Sequence, residues 1–413
     1  MHCRFEDRVT GRARVLQGLR ERIEVRDAAG LPAALDAIER ARRAGHWVAL
    51  LLDYELGEWL APETTLAPPT GGPATREETD GASRLTALVF DRMVIEAPWS
   101  AGQPSSASGR GDLSAKHSLP TAGYISAITP RMARSDYLRH IATIRELIAA
   151  GELYQVNFTL PLDVQIQGDA RLVYQRIAAR HPVAHAAYIE DGDRKVLSFS
   201  PELFVRREGS QLTVRPMKGT APRHSDPAED TRLCQTLVAS VKNRSENLMI
   251  VDLLRNDLGR LARPGSVRVP ALFTLEAYPT VWTMTSTVTA DVPDATFGQI
   301  LQALFPCGSI TGAPKVAAMR RIRQMEIAPR GLYCGAIGWL APDGDFSLNV
   351  AIRTLVVDAS GHGVYSVGGG IVYDSDPEQE WQECLWKARI LRDGMNADGS
   401  GAMADLERAN GPL

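Results

Sequence analysis

The chain has 413 residues, 44% of them hydrophobic and 23% charged, with a formal net charge of -3, the composition of a globular protein with a sizeable core. Both charge signs are spread along the chain, which argues against a nucleic-acid surface. Five scattered cysteines with no CxxC pair argue against a disulfide framework or a zinc site.

The N-terminus carries Arg4, Glu6, Asp7, Arg8 and Arg12 and no apolar stretch of signal-peptide type. The longest apolar run, near Trp47–Leu52, is too short to span a bilayer. The expectation is a soluble, cytoplasmic protein with no membrane association. In chain order, residues 31–45 show helical periodicity, Trp47–Leu52 reads as a buried strand, and residues 54–57 read as a turn. Residues 67–78 are rich in Pro, Gly and Thr, and 100–122 in Ser, Gly, Pro and Ala; both are expected to be loops. Residues 1–99 thus form an N-terminal region contributing to the sheet core, and 100–124 a flexible loop or linker.

Beyond residue 125, Tyr137, Ile141, Ile144, Leu147 and Ile148 recur at helical spacing, ending at Gly151. Residues 154–164 read as a strand. Two hairpins follow, turning at Asp191-Gly192 and Glu208-Gly209. Residues 231–261 form the longest helical pattern, stopped by Pro264-Gly265. Strands are expected over 334–340, 346–357 and 363–367, a last helix over 377–391, and a frayed tail over 394–413. Hairpin-linked strands with helices between groups of them give an α+β class, with large, mostly antiparallel sheets flanked by helices.

Four clusters can carry chemistry. Glu202 follows Pro201 on a rigid turn, as a fixed general acid requires; an ordinary turn glutamate has the same local pattern. Lys218 lies between Arg215 and Arg223 beside Gly219, where neighbouring positive charge and apolar surroundings lower an amine pKa; a surface turn lysine reads the same way. Glu246 lies on one helix, and Glu380, Glu383 and Lys387 share a face of another. Carboxylates from two helices suit a hard cation such as Mg2+, or a solvated face with ion pairs. Glycine runs at 308–315 and 368–370 offer backbone N–H groups, but neither has P-loop or dinucleotide spacing.

Together these segments resemble the chorismate-utilising enzymes. The matching stretches are GELYQVN at 151–157, SPELF at 200–204, RPMKGTAPR at 215–223, NRSENLMIVDLLRNDLGR at 243–260 and GSITGAPK at 308–315. They continue with GLYCGAIGWL at 331–340, NVAIRT at 349–354 and GGGIVYDSDPEQEWQEC at 368–384. LLDYELG at 51–57 is more loosely similar. The resemblance implies an anthranilate synthase component I-like fold, with 125–393 as the chorismate-binding catalytic domain. It implies Mg2+ on Glu246 and Glu383 with Glu380 behind them, and Glu202 as general acid/base. It implies substrate contacts from Gly219, Thr220, Tyr333, Arg353, Gly369, Gly370 and Lys387.

Within the family, Lys218 in place of alanine is associated with the aminodeoxychorismate synthase component I type, where the lysine is thought to form a covalent intermediate. The Trp282 region departs from the His-containing form common in anthranilate and isochorismate synthases. No cysteine sits in a glycine-flanked nucleophile elbow, and few residues follow 392. The expectation is therefore a synthase subunit fed with ammonia by a separate glutamine amidotransferase subunit. Two rival readings are anthranilate synthase component I and a non-catalytic scaffold for the glutaminase. The presence of Glu202, Lys218, Glu246 and Glu383 together speaks against the scaffold.

Overall fold

The computed structural model describes residues 2–65, 81–102, 122–278 and 281–395. Its strands join edge to edge into one sheet in which all strand-to-strand pairings are antiparallel. Followed by its hydrogen bonds, the sheet starts at Gly123–Pro130 and passes through Gln155–Gly168, His362–Ile371, Thr354–Val357, Arg194–Ser200 and His185–Asp191. It continues through Cys3–Asp7, Arg12–Val25, Leu85–Glu96, Trp47–Leu52 and Ala336–Leu340. It then crosses Phe346–Val350, Leu203–Glu208, Gln211–Arg215 and Val281–Asp291, against which both Met217–Pro222 and Arg268–Ala277 pair. The N-terminal strands are thus interior members of the sheet. Among the described residues, no helix is long and apolar enough to cross a membrane.

The unbroken apolar run Trp47–Leu52 follows from burial on both faces. Val48, Leu50 and Leu52 point into the main core, and Ala49 and Leu51 into a second, smaller one. Both hairpins form where the turn chemistry placed them, with Gly192 and Gly209 at φ +60°. The helix Arg134–Ala149 buries Tyr137, Ile141 and Ile144, and Gly151 closes it at φ +79°.

That helix packs on Pro377–Ala388, where the Tyr137 and Trp381 rings meet edge-on at 5.4 Å and the Tyr137 hydroxyl lies 3.2 Å from Cys384 Sγ. Trp381 is fully buried beside Glu380. Trp381→Ala is expected to cost about 3–5 kcal/mol, measurable as a lowered urea midpoint.

Several elements differ from the sequence expectation. The pattern over 231–261 is two helices, Pro227–Ala239 and Val241–Gly259, separated by an extended Ser240. The Ser240 hydroxyl accepts from the Asn243 N–H at 3.3 Å, so this serine starts a new helix inside a continuous periodic pattern. The run 346–357 is broken into two strands by Arg353, whose φ is +50°. The turn at 54–57 leads directly into a short helix, Leu56–Leu60. The strand expected from 334 starts at Ala336, after Cys334 at φ +62°. The last α-helix stops at Ala388, and a 3-10 turn continues from Arg389 to Gly394. The loop expected over 67–78, most of 100–122 and nearly all of the tail lie outside the described residues.

Candidate active site

One cavity, of about 250 Å3, gathers the candidate residues. Its floor is the junction of Gln155–Gly168 with His362–Ile371, where Asn157 is paired with Gly370. Its walls are the Ser200–Glu202 turn, the strand Met217–Pro222 and the helices Val241–Gly259 and Pro377–Ala388.

The Ser200-Pro201-Glu202 turn is anchored by the backbone. Ser200 Oγ donates to the Val350 carbonyl at 2.6 Å, and the Val350 N–H donates to the Glu202 carbonyl at 3.0 Å. Glu202 is only 3% exposed, and its Oε1 accepts from Ser309 Oγ at 2.7 Å and from the Met217 N–H at 3.4 Å. Burial pushes its carboxyl up to about 6, against the Ser309 hydrogen bond and the charges of Lys218 and Arg353.

Lys218 reaches the same point from the opposite wall, its Nζ donating to the Ser309 carbonyl at 3.0 Å. Burial lowers its pKa, against the pull of Glu246 and Glu202. The pairing with Val281–Asp291 slips between Lys218 and Thr220, and Gly219, at φ +78°, is the extra residue. The bulge re-aims the strand so that Lys218 faces the cavity. Ser309 therefore holds a carboxyl with its hydroxyl and an amine with its carbonyl.

The break in the strand at Arg353 turns that residue into the cavity. Among the described residues its guanidinium has no carboxylate or carbonyl partner, and burial lowers its pKa. Lys387 Nζ donates to the Gly368 carbonyl at 2.5 Å and pairs with Glu383 Oε1 at 2.7 Å. The phenols of Tyr333 and Tyr365 also line the cavity, and burial raises both pKa values. Glycines 368–370 are required by space. A Cβ on Gly369 would meet Glu380 Oε2 at 2.7 Å, and one on Gly370 would overlap the Gln155 amide and stand 3.2 Å from Lys218 Nζ. Gly370→Ala should therefore displace Lys218 and cost about 1–3 kcal/mol by overpacking. A urea titration beside a turnover assay checks both effects.

Glu246 and Glu383 face the cavity from opposite helices, and Glu380 lies behind Gly369, held by the Ser375 hydroxyl at 2.7 Å. Burial and the Glu383 charge raise the Glu246 pKa, whereas Lys387 lowers that of Glu383. Among the described residues no three His, Cys, Asp or Glu side chains form a ready-made cage. Two carboxylates facing one space still fit Mg2+, which takes one or two protein carboxylates and completes its shell with water and ligand oxygens.

Every candidate site residue except Gly369 lines this cavity. Sequence reasoning gave no role to Asn157, Lys242, Asn243, Ser309 and Tyr365, which line it too. Asn157 and Ser309 sit inside matched motifs, a signal that was available; Tyr365 is brought in by sheet register alone. Two motif residues point elsewhere. Lys315 pairs with Asp257 at 2.6 Å and so pins the Glu246 helix, and Trp282 donates to Asp230 at 3.0 Å outside the cavity.

The profile of the chorismate binding enzyme family matches residues 5–393. Aminodeoxychorismate synthase component 1 of Salmonella typhimurium is 42% identical over 268 residues, which cover 64% of this chain and 59% of the relative. Anthranilate synthase component 1 of Streptomyces coelicolor is 37% identical over 321 residues, covering 77% of this chain and 61% of the relative. The chain thus spans about three fifths of the length of these two relatives. In fold, the crystal structure of anthranilate synthase component I from Streptococcus pneumoniae superposes with a TM-score of 0.75 at 23% identity, over 92% of each chain.

Proposed function

The chain belongs to the chorismate-binding enzyme family, and on that premise we propose that it is the synthase component of an aminodeoxychorismate synthase, converting chorismate and ammonia to 4-amino-4-deoxychorismate. The observation that carries this reading is the Lys218 amine in the cavity, sharing Ser309 with the Glu202 carboxyl. Similarity to relatives named aminodeoxychorismate synthase component 1 supports it.

The chemistry proceeds from those two groups. Chorismate carries two carboxylates, which Arg353, Lys387 and the backbone around Gly368–Gly370 are charged and shaped to receive. The Lys218 amine, kept toward its neutral form by burial, attacks C2 of the ring. Both ring double bonds shift, from C1=C2 and C5=C6 to C1=C6 and C4=C5, as the C4–O bond breaks and the leaving hydroxyl takes a proton from Glu202. Ammonia then attacks C4, both double bonds shift back, the C2–N bond to Lys218 breaks, and the new C4 ammonium returns a proton to Glu202. One difficult substitution becomes two displacements relayed through the diene. When bound at Glu246 and Glu383, Mg2+ would supply a Lewis acid and template for a substrate carboxylate. The ammonia would come from a separate glutamine amidotransferase subunit, in keeping with the component 1 naming of the relatives.

Incubation with chorismate, Mg2+ and an ammonium salt at alkaline pH tests this reading. p-Aminobenzoate should form only when aminodeoxychorismate lyase is added. Direct formation of anthranilate would instead place the chain with anthranilate synthases, to which it is also similar.

A further inference from the structure

We propose that Arg330 is a positioning residue of this site, which aligns Lys218 and Glu202 through Ser309 without touching the substrate. The inference rests on the roles given above to Lys218 and Glu202. Arg330 does not line the cavity. Its side chain is 1% exposed, yet its guanidinium is spent on main-chain atoms of the two segments that do. Nη1 donates to the Ile310 carbonyl at 2.9 Å and Nη2 to the Asn157 carbonyl at 2.6 Å. Ile310 directly follows Ser309, whose hydroxyl and carbonyl hold Glu202 and Lys218.

The arginine is itself fixed on every side. Nε and Nη2 donate to Glu326 at 2.7–3.2 Å, and the guanidinium carbon stacks 4.4 Å from the centre of the Tyr54 ring. The N–H groups of Arg330 and Gly331 donate to the Glu55 carboxylate at 2.8 and 3.0 Å. A planar guanidinium spans two carbonyls and a carboxylate with donors in fixed directions on three separate nitrogens, whereas the three donors of an ammonium radiate from one nitrogen. This buried pair therefore braces the Gly308–Ile310 turn over the strand Gln155–Gly168, beside the main-chain bond from the Asn157 N–H to the Thr311 carbonyl at 2.9 Å, and with it the separation of the amine from the carboxyl.

Three variants separate positioning from bulk stability. Arg330→Lys keeps the charge opposite Glu326 but gives up the two carbonyls. Arg330→Gln combined with Glu326→Gln gives them up without orphaning a buried charge, and carries the same test should the lysine variant not fold. Glu326→Gln alone loses the ion pair and keeps both carbonyl bonds. Turnover should fall about 10²-fold in the first two, with KM for chorismate within about twofold of the parent, and stay near the parent in the third.

The second readout needs no turnover. Infrared titration of the Glu202 carboxyl, identified by its loss in Glu202→Gln, reports whether Ser309 still donates to it. Its other charged or titratable neighbours, Lys218, Arg353, Cys307 and Cys334, are unchanged in all three variants. A hydrogen bond to the ionised form lowers a carboxyl pKa, so its midpoint should rise by roughly half a pH unit or more in the first two variants and stay put in Glu326→Gln. An unchanged midpoint in folded Arg330 variants overturns the proposal, whether or not the protein makes aminodeoxychorismate. Equal loss of turnover in Glu326→Gln also overturns it.

Discussion

Lys218→Ala is expected to lose aminodeoxychorismate formation by at least about 10²-fold while still binding chorismate. The cationic contacts at Arg353 and Lys387 lie elsewhere in the cavity and survive the change. Lys218→Arg should be equally inactive. It restores the positive charge facing Glu246 and Glu202 but offers no neutral amine, because a guanidinium stays protonated. Mass spectrometry of protein quenched during turnover should find a chorismate-derived adduct on a peptide containing Lys218 in the parent and none in either variant. Undiminished turnover by Lys218→Ala would remove the covalent route.

Glu202→Gln is expected to slow turnover by about 10²–10⁴-fold and at the same time to stabilise the fold at neutral pH. The folded pKa is raised from 4.5 to about 6 by burial, so the neutral carboxyl is the form the native state favours. Stability from this group is complete below pH 4.5 and is lost as pH rises through about 6, a fall of roughly 2 kcal/mol. Glutamine can keep the two hydrogen bonds that Glu202 Oε1 accepts and does not ionise. Urea midpoints should therefore favour the variant at pH 8 and converge near pH 4.5. An equal difference between variant and parent at both pH values would mean that burial does not raise the Glu202 pKa.

Much of this was legible locally. Asp191-Gly192 and Glu208-Gly209 announce hairpins because a turn's chemistry lies within its own few residues. Glu202, Lys218, Glu246 and Arg353 stand inside matched segments and Lys387 just beyond the last of them, and the fold brings all five to one cavity. What was missed depends on the rest of the molecule. Ser240 interrupts a helical period that hydrophobicity alone continues, and the interruption lets the following helix be aimed separately. Arg353 adopts a left-handed backbone inside a strand-like run, a conformation that tertiary contacts impose and that no propensity suggests. Ser309 stands in a matched glycine-rich motif, but that its hydroxyl and carbonyl hold Glu202 and Lys218 appears only when those residues arrive from other parts of the chain.

The wiring of the sheet also governs how the protein is born. Cys3–Asp7, Arg12–Val25, Leu85–Glu96 and Trp47–Leu52 can pair among themselves as soon as they leave the ribosome. The two outer edges of that ribbon cannot be covered so early. Cys3–Asp7 waits for His185–Asp191, and Trp47–Leu52, apolar on both faces, waits for Ala336–Leu340. For most of translation the nascent chain therefore carries a bare, sticky strand edge. Fragments ending before Ala336 should collect in inclusion bodies, and full-length yield should respond strongly to chaperone supply and slow synthesis.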